Sequence, residues 1–140
     1  MSKVAVVYWS GTGNTEAMAN QVVLGAKAAG AEVSLFTASE FDADKMDQFD
    51  AVAFGCPSMG TEVLEEDEFE PMFFSCKPKL KGKKIALFGS YGWGDGEWMR
   101  NWEADCQNEG ANFACDYVIC NEAPDAEADA ACAALGKALA

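Results

Sequence analysis

The sequence predicts an α/β fold: a doubly wound sheet of five parallel strands with helices on both faces, in a single domain over residues 1–140. Segments that favour strands alternate along the chain with segments of helical composition. The strand segments include VAVV, AVAFG and IALFG, which are apolar without alternation, as is typical of parallel strands covered on both faces. Half of the residues are apolar, so a chain of this length can bury a core of its own.

The first half of the chain predicts three strands and two helices. Short runs of apolar and β-branched residues predict strands over 4–9, 32–38 and 51–56. Between the first two, residues 16–29 are helical in composition, and the glycine that follows is suited to a C-cap. The polar segment 39–50 predicts a short helix that three spaced large apolar side chains anchor.

The second half predicts three helices and two strands. Residues 66–76 favour a helix with apolar side chains on one face, and Pro71 either falls in its first turn or kinks it. The basic turn KPKLKGKK then leads into a strand over 85–89. The remaining elements are a helix closed by a glycine, a fifth strand and an alanine-rich helix, over 97–108, 113–120 and 125–139.

The composition excludes several classes of function. The net charge is −13, a field that repels nucleic acid and anionic membrane surfaces and attracts positively charged partners. The chain has no histidine, which excludes histidine metal sites and Ser-His or Cys-His catalysis. The start MSKVAVVYW lacks the apolar stretch of a signal peptide, and no run approaches membrane-spanning length, so we expect a cytoplasmic protein.

The six cysteines predict ordinary buried or half-buried thiols rather than a metal centre. None belongs to a CxxC pair, and the spacing of Cys106, Cys115 and Cys120 matches no iron–sulfur pattern. A reducing environment suits a chain with this many free thiols.

The stretch YWSGTGNTEAMA has the layout of a phosphate-binding loop between a strand and a helix. It has no lysine, so it is not a Walker-type loop, and Glu16 takes the place of the third glycine of a dinucleotide fingerprint. Hydroxyl, amide and backbone N–H donors at a helix end remain, and they suit a phosphate. The alternative is a plain glycine turn with an Asn or Thr N-cap.

Three glycine-rich loops follow strands of the predicted sheet, over 10–15, 57–62 and 89–96. The carboxyl ends of parallel strands share one edge of the sheet, and ligands of doubly wound folds bind there. We therefore expect the three loops to converge on one site.

Three segments together resemble the flavodoxins, in particular the short-chain, clostridial-type members: SGTGNT, GCPSMGTEVLEEDEFEP and LFGSYGWGDGEWM. The resemblance covers the whole chain. It implies a flavodoxin-like sheet of strand order 2-1-3-4-5 with FMN bound non-covalently at its edge. It also implies a low-potential one-electron carrier, not an enzyme, that shuttles electrons between redox proteins through semiquinone and hydroquinone states.

The resemblance assigns cofactor contacts to all three loops, and neither a catalytic residue nor a metal ligand. The phosphate would bind the first loop, at Ser10, Gly11, Thr12, Gly13, Asn14 and Thr15. The flavin ring would lie against the other two, at Pro57, Ser58, Met59, Gly60, Thr61, Glu62, Ser90, Tyr91, Gly92, Trp93, Gly94 and Gly96.

The side chains of these loops suit a flat aromatic ligand. Trp93 is flanked by glycines, and its large apolar area needs a partner: the core, if it folds back, or the flavin, on which this position stacks in the resembled family. Met59 is a soft side chain in a polar loop and is suited to an aromatic face. Trp98 and Trp102 are four residues apart on a predicted helix, which favours core packing.

The peptide between Gly60 and Thr61 is the predicted redox-sensitive turn. Glycine adopts positive φ at little steric cost, and the resemblance implies that this carbonyl turns towards flavin N5 when the semiquinone forms. Related clostridial sequences often have an acidic residue where this chain has Thr61. Glu62 matches the carboxylate that accepts from flavin N3–H in the family; a solvated carboxylate is the alternative.

The acidic segment EVLEEDEFEP suits two roles. Its carboxylates favour the start of a helix, and they also suit the steering of partners with basic docking surfaces, such as reductases and low-potential oxidoreductases. We expect a monomer that binds neither nucleic acid nor membranes.

Two other functions stay open from the sequence. One is a small FMN-dependent NAD(P)H/quinone reductase, for which no second nucleotide fingerprint or substrate-pocket insertion is visible. The other is a flavin-free doubly wound signalling module, which would leave Trp93 and the SGTGNT loop without a purpose.

Overall fold

The computed structural model describes all 140 residues. Its strands are β1 (Lys3–Tyr8), β2 (Glu32–Thr37), β3 (Ala51–Gly55), β4 (Lys84–Tyr91), β5 (Asn112–Phe113) and β6 (Val118–Asn121). All pairings within the sheet are parallel, in the order β2-β1-β3-β4, and both β5 and β6 pair with the outer side of β4. The predicted order is confirmed, with β5 and β6 together in the fifth position.

The helices are α1 (Asn14–Ala28), α2 (Ala43–Met46), α3 (Phe69–Cys76), α4 (Glu97–Asn108) and α5 (Ala126–Leu139). Short 3-10 turns occupy Ala38–Glu40 and Lys77–Lys79. None of the helices has the length and apolar character needed to cross a membrane.

Helices cover both faces of the sheet. On one face, Met18 and Val22 of α1 and Leu135 of α5 pack with Val4 and Val6 of β1. The alternate residues of the strands face the other way, which is the two-residue period of extended backbone.

The second face carries most of the aromatic core. Phe73 of α3 and Trp98 and Trp102 of α4 pack there with Val7 and Phe54 of the strands. The core interpretation of the two tryptophans is therefore confirmed.

The prediction of one continuous fifth strand over 113–120 was wrong. Ile85 pairs with Phe113 and Phe88 with Val118, so β4 advances by three residues while the outer chain advances by five. The two additional residues cannot stay in register, and an edge strand has no second neighbour to hold them. β4 instead continues to Tyr91, because β6 pairs with it there.

The predicted helix over 39–50 is much shorter than expected. Asp42 caps α2 by accepting from the backbone N of Lys45 at 3.1 Å, and the helix ends at Met46. The preceding turn is closed by Thr37 and Glu40, whose carboxylate accepts from the Thr37 backbone N at 2.8 Å. Local capping by polar side chains therefore divides this segment.

The six cysteines are all free, as predicted, and four of them are buried. Burial raises the pKa of the Cys76 thiol to about 11 and that of Cys132 to about 12. Because the thiolate is the reactive form, these side chains act as small apolar residues.

Candidate functional site

A cavity of about 570 Å³ opens where β1, β3, β4 and β6 end. Residues of all three predicted loops line it, together with residues on either side of them: Trp9, Gly11, Thr12, Asn14, Pro57, Ser58, Met59, Ser90, Tyr91, Gly92, Glu122 and Ala123. The sheet therefore brings the three loops together as expected.

The first loop connects β1 to the amino end of α1. Gly13 is the N-cap residue with φ +94°, a conformation that favours glycine. Ser10 Oγ accepts from the backbone N of Gly13 at 3.1 Å and from that of Glu16 at 3.2 Å. The hydroxyl of Ser10 therefore holds two of the N–H groups at this helix end.

Thr15 lies below the loop rather than in the cavity. It is buried, and its hydroxyl shares a 3.0 Å hydrogen bond with the hydroxyl of Ser90 at the end of β4. This contact joins the first loop to the third.

The second loop ends in a small hairpin. The backbone N of Met59 donates to the Val63 carbonyl at 2.8 Å, and the Val63 N donates back at 2.9 Å. Gly60 and Glu62 at the tip have φ +51° and +55°. Gly60 therefore adopts a conformation that favours glycine, while Glu62 is unusual among non-glycine residues.

The Glu62 carboxylate reaches the third loop. Its Oε1 accepts from the backbone N of Glu97 at 3.1 Å, at the amino end of α4, which has no side-chain cap of its own. One carboxylate thus links the tip of the second loop to the helix that follows the third.

The acidic segment contains a buried carboxylate that the sequence pattern did not distinguish. Glu65 is 6% exposed and accepts from the backbone N of Asp67, Glu68 and Phe69, each at 2.8 Å. Burial opposes its ionisation, but the three N–H groups outweigh that effect and hold its pKa below the usual range. Glu65 therefore anchors the start of α3, three residues later than predicted.

The third loop presents Tyr91 and Gly92 to the cavity and Trp93 to solvent. Trp93 is 63% exposed, so it does not fold back onto the core. Gly94 and Gly96, which lead to α4, are not part of the cavity lining. Three residues of the second loop also lie outside it: Gly60, Thr61 and Glu62.

A fourth segment after β6 was missed by the sequence reasoning. Glu122, with φ +56°, and Ala123 line the cavity. The Tyr91 carbonyl holds this segment by accepting from the Glu122 backbone N at 2.7 Å and from Asn121 Nδ2 at 3.3 Å. Its place in the sequence could have predicted this role, because the segment follows the last parallel strand, which must end at the same edge of the sheet as the others.

No lysine or arginine lines the cavity. The adjoining hollow behind the first loop carries two carboxylates, Glu16 and Glu68, and Tyr8 donates to Glu16 at 2.9 Å. Arg100 follows the third loop, but its guanidinium pairs with Asp95 at 2.9 Å, and the pair holds the pKa of the Asp95 carboxyl below its usual range. The charged side chains around the site are therefore acidic rather than basic.

Comparison with known proteins gives one consistent result. The model of the flavodoxin family matches residues 6–136. The flavodoxin of Megasphaera elsdenii is 48% identical over 137 residues, which is 98% of both chains. That of Clostridium beijerinckii is 44% identical over 135 residues, covering 96% of this chain and 97% of the relative. The solution structure of the two-electron reduced M. elsdenii protein superimposes with a TM-score of 0.90 over 97% of both chains.

Proposed function

This chain belongs to the flavodoxin family, the FMN-binding electron-transfer proteins, and we propose which of its residues hold the FMN and set its potentials. It is an electron carrier rather than an enzyme. When bound, FMN supplies a ring that accepts one electron at a time and carries an added negative charge once it is fully reduced.

The observation that carries the proposal is the cavity formed by the predicted loops without a basic residue. Its chemistry fits FMN at both ends. Trp9, Met59 and Tyr91 give apolar walls to a flat ring, while Thr12 and Asn14 bring polar side chains to the amino end of α1.

We assign the phosphate to residues 10–15. A phosphate oxygen there would take the acceptor role that Ser10 Oγ has for the backbone N of Gly13 and Glu16, and the freed hydroxyl would become a donor. The helix end supplies roughly half a positive charge, so the phosphate stays largely uncompensated.

The ring contacts are assigned to the second and third loops. We place Trp93 over the exposed face of the ring, since an exposed indole gains most by covering an apolar surface. Oε1 of Glu62 accepts from the backbone N of Glu97 in α4, which leaves the other carboxylate oxygen to accept from the ring N3–H. Gly60 and Thr61 form the peptide that would present its carbonyl to the ring nitrogen that gains a proton.

FMN titration of the nitrogen-15-labelled, FMN-free protein tests this assignment. We expect the largest amide shifts in residues 10–15, 57–62, 90–94 and 121–123. Riboflavin, which lacks the phosphate, is the matched control and should shift the last three segments while leaving 10–15 nearly unchanged. Equal effects of the two ligands on 10–15 would contradict the phosphate assignment.

The partners are redox proteins, and we propose that they dock through basic surfaces onto the rim of the cavity. The exposed carboxylates Glu66, Asp67 and Glu68 lie beside the second loop, whereas Glu65 is buried and takes no part. The free thiols support a reducing, cytoplasmic setting, and the singly scattered exposed apolar side chains support a monomer.

Reduction of the FMN-loaded protein by a basic partner should slow by about tenfold or more between low salt and 0.5 M salt, because salt screens the attraction of exposed charges. Replacing Glu66 and Asp67 by Gln and Asn should flatten this dependence. Glu109→Gln, an exposed change just after the carboxyl end of α4, is the control and should not flatten it. A flat salt profile for the unmodified protein would contradict steering.

A further inference from the structure

The hydrogen-bond ladder between β3 and β4 opens at one position as the strands enter the site. The backbone N of Cys56 donates to the Phe88 carbonyl at 3.1 Å, and that of Ser58 donates to the Ser90 carbonyl at 3.0 Å. In a regular parallel ladder the Ser90 N–H between them would donate to the Cys56 carbonyl. Here Ser90 N donates to Thr15 Oγ1 at 3.4 Å instead.

The Cys56 carbonyl that this leaves free accepts from the indole of Trp98, with Nε1 at 3.2 Å. The strands stay close at this point, since a side chain at Gly89 would place its Cβ 2.2 Å from the Cys56 oxygen. The open position is therefore not a gap between the strands. Instead, both groups have other hydrogen-bond partners. The Cys56 carbonyl accepts from Trp98 of α4, and the Ser90 N–H donates to Thr15 of the first loop.

Cys56 also closes the base of the second loop. Its Sγ accepts from the backbone N of Glu65 at 3.4 Å, so the residues on either side of the loop meet at one buried thiol. The orientation of the Cys56 peptide therefore sets the direction in which the chain continues to Met59 and Gly60. Trp98 holds this peptide by donating to its oxygen.

We propose that Trp98 is a positioning residue for the FMN ring, acting through the Cys56 carbonyl; this rests on the function proposed above. Trp98 is 2% exposed, and it packs against Tyr91 of the cavity wall with 5.5 Å between ring centroids. Without the indole donor, the Cys56 carbonyl would recapture the Ser90 N–H. That change would turn the second loop and remove one of the two hydrogen bonds that join Thr15 to Ser90.

The helix carries its own control. Trp102 lies one turn further along α4 and is 3% exposed, but its indole Nε1 has no hydrogen-bond partner. Trp98→Phe and Trp102→Phe therefore remove the same atoms from the same helix, and only the first removes a hydrogen bond.

The experiment compares the two variants in the FMN-free and FMN-bound protein. Relative to Trp102→Phe, the change Trp98→Phe should raise the FMN dissociation constant about fivefold, the effect of one hydrogen bond. In the FMN-free protein it should also speed amide exchange at Met59 and Val63 about fivefold. Equal dissociation constants would overturn the proposal, as would equal exchange.

The unmodified protein gives a readout that does not depend on folding of the variants. The indole N–H of Trp98 should exchange more slowly than that of Trp102. On FMN binding, the chemical shift of the Trp98 indole proton should change, while that of Trp102 should not. No movement would overturn the positioning role. A protein that bound no FMN would instead refute the proposed site, while the exchange comparison would still test the contact between Trp98 and Cys56.

Discussion

Replacing Glu65 by alanine should lower the free energy of unfolding by about 2–4 kcal/mol, the largest effect on stability expected in the site region. Three backbone N–H groups donate to this one carboxylate, and the side chain is almost fully buried. Hydrogen bonds to a charged group stabilise more than neutral ones, and their removal leaves donors without partners at the start of α3.

Urea unfolding of the FMN-free protein measures this effect without a contribution from ligand binding. Glu66→Ala is the matched control, since Glu66 is the exposed neighbour in the same acidic segment, and it should change the midpoint little. Similar midpoints for the two variants would show that the Glu65 contacts do not stabilise the fold.

The contribution of Glu65 should also depend on pH. Its pKa is held below the usual value in the folded protein, so its stabilisation is present at pH values above about 4.5. It is lost as the pH falls through the folded-state pKa. The difference in stability between the unmodified protein and Glu65→Ala should therefore shrink on acidification below pH 4.5 and stay constant above it.

The sheet was predictable because its signals are local. Apolar runs without alternation, glycine-rich loops at their ends and the alternation of strands with helices are each visible within a few residues. Together they predict a doubly wound parallel sheet and the common edge at which the loops meet, while the strand order was implied by the resemblance to the flavodoxins.

What the sequence could not predict depends on contacts between distant segments. The register along β4 decides that the fifth strand divides into β5 and β6, and no residue near 115 encodes that register alone. Glu65 is one of six carboxylates in the segment EVLEEDEFEP, and only its burial and the turn that it caps distinguish it from the others. Trp98 and the residue that accepts its indole hydrogen bond, Cys56, are 42 positions apart in the sequence.

Placing a positive charge in the first loop should change the redox chemistry most. Thr12 is exposed and lines the cavity, so Thr12→Lys can bring an ammonium group close to the phosphate without burying it. Thr15 is unsuitable, because it is buried and bonded to Ser90.

The expected shift follows from electrostatics. A unit charge roughly 10 Å from the ring contributes about 0.4–1.7 kcal/mol, between the limits of bulk water and a protein surface. For one electron, this corresponds to an upward shift of about 20–70 mV in the second midpoint potential. The first potential should move less, because the added negative charge comes with full reduction.

A potentiometric titration of the FMN-saturated Thr12→Lys protein, with Thr12→Gln as the uncharged control, tests most directly whether the loop lowers the potential by leaving the phosphate uncompensated. We predict that the lysine variant has a second midpoint potential about 20–70 mV above that of the glutamine variant, and that the difference shrinks as salt is added. Identical second potentials in two fully loaded variants would contradict the account.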